Sequence, residues 1–179
     1  MLLACFFRIF EQVKLHNTKN SMKTNHLGFP QKEVTVLTAE LNILLANYHI
    51  YYQNLRGLHW NIRGRRFFDL HLKFEELYND TLLKIDLLAE RILTLGEKPL
   101  HTLEDYIKNN KLPIGKDIST DVASIELIQN CLMELLKMER IILEQASSIN
   151  DEGTTAMMSD FIAEQEKTIW MLNAWLDEA

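Results

Sequence analysis

Apolar positions along the chain recur in steps of three and four. From Pro30 onward, Leu37, Leu41, Leu44, Tyr48, Tyr51, Leu55 and Leu58 form the first stripe, the pattern of a helix with one buried face. A short polar break, "RGR" around Gly64, ends it. The second stripe runs from about Arg66 to Leu95 on Phe67, Leu70, Phe74, Leu77, Ile85, Leu88 and Ile92, and Gly96 supplies a stop. A third helix is predicted from near Thr120, on Ile125, Ile128, Leu132, Leu135, Ile142 and Ala146. A fourth is predicted from near Thr154, after the turn "NDEG", on Met158, Phe161, Ile162, Ile169, Leu172 and Leu176.

Loop lengths order these helices in space. The first and second are joined tightly, as are the third and fourth, so each pair is expected to be antiparallel. Between the second and third lies the segment from Glu97 to Ser119, with Pro99 and Pro113. It is long enough to run the length of a bundle, and "TLEDYIKNN" within it reads as a short helix. Two hairpins joined by one long crossover make the ferritin-like arrangement. The expected fold class is therefore all-α, a four-helix bundle whose long crossover carries a short helix between helices two and three.

Composition narrows the setting. A chain of 179 residues, 47% hydrophobic and 25% charged, suits one domain with a real core. A net charge of −6 provides no global attraction to nucleic acid. Cys5 and Cys131 form no disulfide framework, so a reducing cytoplasm is the expected location. No stretch reaches the roughly 20 apolar residues of a membrane span. The opening "MLLACFFRIF" is interrupted by Arg8 and has no basic residues before its apolar run, which argues against export. Residues 1–21 fit poorly with the helical pattern of the chain and are set apart as an extension, with Met22 as an alternative start. Residues 22–179 form the expected domain.

Candidate chemistry gathers on the first hairpin. His59 lies at the end of helix one, while His71, Glu75, Asp86 and Glu90 share one arc of helix two. His71 and Glu75 are one turn apart, and so are Asp86 and Glu90. Imidazole nitrogen with carboxylate oxygen suits iron, zinc or manganese better than calcium or copper(I). Taken singly, each residue has an ordinary explanation: a hydrogen-bonded core histidine, or a solvated acidic face paired with Lys84 or Arg91. Five in one arc are harder to dismiss, because burying several carboxylates without a cation is costly. No glutamate is followed three residues later by histidine, so the di-iron motif of ordinary ferritin-like bundles is absent. Asp86 follows His71 by fifteen residues, about 22 Å along a helix. One chain cannot bring both ends to one ion, whereas two antiparallel copies around a two-fold axis can.

At these residues the sequence resembles a known family. "LHWNIRG", then "FFDLH", "FEELY" and "DLLAERILTLG", with "IWMLNAWL" near the end, are similar to the Dps proteins, the mini-ferritins named as DNA-binding proteins from starved cells. The resemblance runs from about Met22 to Ala179. It implies a hollow shell of twelve subunits with ferroxidase sites at two-fold interfaces. It also implies that His59 and His71 of one subunit bind iron opposite Asp86 and Glu90 of its neighbour, these four being the catalytic set. Glu75 stands where the family often has an acidic residue, as a further ligand or an outer-shell group. Trp60 adjoins the site, either to quench oxidising equivalents or to pack. Hydrogen peroxide is the implied oxidant, and ferric product would mineralise inside the shell. Asp151 and Glu152 could draw cations through a pore, or simply form a solvated turn.

Two other functions compete with iron oxidation and storage. A DNA-compacting protein needs a mobile basic tail, yet residues before Pro30 carry only Arg8, Lys14, Lys19 and Lys23 as fixed positive charges. A purely structural helical oligomer would make the ligand set a coincidence.

Overall fold

The structure is a computed structural model that describes residues 23–177. The extension 1–21, with Cys5 and the alternative starts, lies outside the described residues. Among the described residues five helices follow one another: α1 (Gln31–Asn61), α2 (Phe67–Thr94), α3 (Leu103–Lys108), α4 (Asp121–Ser148) and α5 (Glu152–Leu176). α1 packs along α2 and α4 along α5, and α1 also meets α4 and the short α3. This is the all-α bundle expected from the periodicity, with α3 lying inside the predicted crossover helix.

Each stripe became a packed face. All seven apolar residues read on the first helix are buried, as are all six on the third. On the last helix Met158, Phe161 and Leu172 are buried, but Thr154, Gln165 and Thr168 share that inward face. Polar residues in the stripe blur the apolar period without moving the face.

The helix ends have physical causes. α2 stops in a Schellman turn: the Glu97 N–H donates to the Ile92 carbonyl and the Gly96 N–H to that of Leu93. Gly96 takes φ +94° there, a conformation side chains disfavour. α5 begins two residues before the expected Thr154. The Asp151 side chain accepts from the Thr154 N–H and starts the helix at Glu152.

Three asparagines on α1 hold the crossover. Asn42 accepts from the Leu100 N–H and donates to the Lys98 carbonyl. Asn47 does the same with Lys111 and Asn109, and Asn54 with Gly115 and Pro113. Each side-chain amide thus satisfies two backbone groups of a segment that has little secondary structure of its own.

Candidate metal site

The turn between α1 and α2 brings His59, in the last turn of α1, against His71, near the start of α2. The imidazoles stack with centroids 3.7 Å apart. Their contacts are reciprocal: His59 Nδ1 lies 2.9 Å from the His71 carbonyl oxygen, and His71 Nδ1 lies 2.9 Å from that of His59. A carbonyl oxygen only accepts, so both Nδ1 atoms must carry the proton when these bonds form. In the neutral form of each ring Nε2 then carries the lone pair, the tautomer a metal ligand needs.

Glu75, one turn after His71, completes a cluster in which one donor atom from each of His59, His71 and Glu75 lies within 4.8 Å of the others. All three are half-buried. Two imidazole nitrogens and a carboxylate oxygen are a borderline set that suits iron, zinc or manganese.

Aromatic side chains hold this arrangement. Phe67 stacks on His71 at 5.0 Å, and Tyr78 meets the His59 ring edge-on at 5.3 Å. The Tyr78 hydroxyl donates to Glu75 Oε1 at 3.3 Å, so it steers the carboxylate. Tyr78 was not among the expected site residues. Its spacing, three residues after Glu75 and seven after His71 on one helix, was a signal that could have found it. Trp60 is exposed, with the Arg56 guanidinium 4.6 Å over its ring.

Asp86 and Glu90 are exposed and do not join the cluster within the chain. They sit on the outer face of α2 among exposed Phe68, Leu72, Leu83 and Leu87. An apolar outer face on a helix whose other face already fills the core marks a surface for association. Lys84 and Arg91 do not neutralise Asp86 and Glu90, contrary to the ordinary explanation of those acids. Lys84 turns inward to Asp80 and Glu164, and Arg91 pairs with Asp151.

Asp151 is no pore residue. Its side chain is 0% exposed, bound by Arg91 and spent on capping α5. Glu152 beside it is exposed.

The bundle and its histidine–carboxylate cluster define a ferritin-like protein, and the family model of the ferritin-like domain matches residues 38–179. Among curated relatives, a Haemophilus influenzae protein of uncharacterised function is 41% identical, over 86% of this chain and 96% of its own length. A "DNA protection during starvation protein" of Porphyromonas gingivalis is 38% identical, over 83% of this chain and 93% of its own. The crystal structure of a Dps protein from Vibrio cholerae O1 superposes with a TM-score of 0.84 at 49% identity, covering 88% of this chain and 99% of that one. That protein is described as a member of a broad superfamily of ferritin-like diiron-carboxylate proteins. The chain belongs to the Dps family of ferritin-like proteins.

Proposed function

We propose that this protein is an iron-oxidising, iron-storing mini-ferritin that protects against peroxide, working as a homododecamer in the cytoplasm. Iron(II) is its substrate, and hydrogen peroxide is the preferred oxidant. Two iron(II) ions, one peroxide and two protons yield two iron(III) ions and two waters. Both Fenton reagents are thereby consumed together, and the ferric product is stored as mineral in the shell.

One observation carries this reading: both Nδ1 atoms are tied to backbone carbonyls in a cluster where one donor atom each of His59, His71 and Glu75 lies within 4.8 Å of the others. His59, His71 and Glu75 bind iron(II) from one subunit. Asp86 and Glu90 of a two-fold-related copy close the site, because the exposed apolar face of α2 carries them to the interface. Their hard anionic oxygens gain more from iron(III) than from iron(II), which favours the oxidised product. Zinc or manganese occupies the same ligand set when iron is scarce. Covering the apolar face excludes water around the site and strengthens these charge interactions. DNA compaction is the weaker alternative, since a net charge of −6 gives the chain no overall attraction to the phosphate backbone.

Complementation between defective chains tests the shared site. One chain carries His59→Ala with His71→Ala, and another carries Asp86→Ala with Glu90→Ala. Each alone is expected to assemble and to lose peroxide-dependent iron oxidation. Refolded together, about half the two-fold pairs are mixed, and each mixed pair holds one restored site of its two. Activity is expected to return to roughly a quarter of the wild-type level. A co-assembled mixture, verified by mass, that stays inactive overturns the shared site.

A further inference from the structure

A second polar cluster, remote in role from the histidines, runs from buried Glu139 inside the bundle to exposed Glu164 at its surface. Glu139 of α4 is fully buried, and its Oε1 accepts from the Tyr48 hydroxyl at 2.6 Å and from the Gln165 amide. Nearby, Lys84 is only 5% exposed. Its ammonium binds Asp80, one turn earlier on α2, and Glu164 of α5 at 2.8 Å. A cavity of about 10 Å³ adjoins Lys84, Asp80, Glu164, Gln165 and Tyr51, room for a single water at most. Two of these lining residues bring unpartnered buried oxygens, Gln165 Oε1 and Tyr51 Oη, and Glu139 Oε2 is also without a partner.

The chemistry of this cluster is that of a cation site. Carboxylates, an amide carbonyl and a phenol are hard oxygen donors, and they come from all four long helices. The lysine ammonium stands between two of the carboxylates, so their oxygens already face each other across a positive charge. Its field reaches Glu139 as well. Burial raises that carboxyl above its ordinary value, while bonds from Tyr48 and Gln165, and then the Lys84 charge, oppose the rise.

Lys84 is buried, but Asp80 and Glu164 are 35% and 52% exposed, and ion pairs open to solvent add little, so stability alone does not explain a lysine here. Occupancy does explain it. We propose that Lys84 is the built-in cation of a carboxylate pocket in the bundle wall, and that its charge keeps divalent metal out of a site that would otherwise hold one. An incoming ion would meet the like charge of the buried Lys84 and would have to take Asp80 and Glu164 from it. The absence of a Glu-x-x-His motif removes nitrogen ligands from this interior, and Lys84 removes the remaining carboxylates from use.

The inference does not depend on what the histidine cluster binds, and its test is made without that cluster. In a His59→Ala, His71→Ala background, Lys84→Met is added and the assembled protein is titrated with manganese(II). Free ion is followed by its paramagnetic resonance signal and bound ion by equilibrium dialysis. The Lys84→Met chain is expected to retain about one more ion per chain than its parent, and adding Glu164→Gln is expected to weaken that binding tenfold or more. A folded Lys84→Met chain that binds no more manganese than its parent overturns the proposal. If Lys84→Met does not fold alone, recovery of cooperative melting on adding manganese supports it. Failure with and without the ion, together with a folded Lys84→Gln chain that gains no manganese, also overturns it.

Discussion

Removing the Asp151 carboxylate should cost the fold far more than removing that of its neighbour Glu152. Asp151 does two things at once: it accepts from the Thr154 N–H at the start of α5, and it neutralises Arg91 of α2. Losing an N-cap side chain costs about 1 kcal/mol. Leaving one partner of a buried pair uncompensated costs about 3–5 kcal/mol. The Arg91 side chain is 17% exposed and its Nε still donates to Thr154 Oγ1 at 2.9 Å, so the lower end of that range applies. Asp151→Ala should therefore destabilise by about 3–4 kcal/mol, with the cap and the pair not strictly additive. For a domain of this size about 1 kcal/mol moves the melting temperature by about 2–4 °C, so a fall of roughly 10 °C is expected. Asp151→Asn keeps the capping oxygen and should fall about half as far. Glu152→Ala should stay within about 0.5 kcal/mol of wild type. Adding Arg91→Met to Asp151→Ala should recover part of the loss, since the stranded guanidinium is much of the penalty. Melting is compared at one protein concentration, because association adds to apparent stability. An Asp151→Ala protein that melts within about 2 °C of wild type while taking up iron more slowly would refute this account and restore Asp151 to a pore.

Three further outcomes are expected from other parts of the structure. Burial holds the Glu139 carboxyl above its ordinary value of 4.5, so the fold favours its protonated form. That contribution is complete below the ordinary value and is lost as pH rises through the raised one. Relative to Glu139→Gln, wild type should lose melting temperature as pH climbs above 4.5, and a pH-independent difference would contradict this. Leu83→Asp places a charge on the exposed apolar face of α2 and should break the assembly into small species in sedimentation while helicity by circular dichroism is kept; an intact large oligomer would count against that face as the interface. Duplex DNA should not be retained in a gel shift at moderate salt, because the net charge is −6; retention at low protein concentration would reverse the reading.

Much of this architecture is visible in short-range pattern. Leu37 to Leu58 and Ile125 to Ala146 are buried as their spacing requires, because each helix face repeats within a few residues of sequence. Gly96 marks the end of α2 for an equally local reason, the positive φ its turn demands. His71 and Glu75 share a face for the same cause. Distances along a single helix are also fixed by its rise, which is why the separation of His71 from Asp86 already pointed to two chains.

Tertiary structure decided what depends on segments meeting from afar. The stacking of His59 on His71, and with it the tie of each Nδ1 to a carbonyl, exists because the turn at 62–66 brings two helix ends together so that each ring meets the other's carbonyl. Asn42, Asn47 and Asn54 look like ordinary polar residues on α1 until the crossover lies against them. Asp151 and Lys84 read as surface charges, and partners sixty to eighty residues away in sequence turn both inward. A charged side chain can face solvent or a partner, and a neighbour on its own helix, as Asp80 is to Lys84, is within reach either way. The choice falls to whichever distant helix supplies the opposite charge, since burial is affordable only when that charge is met.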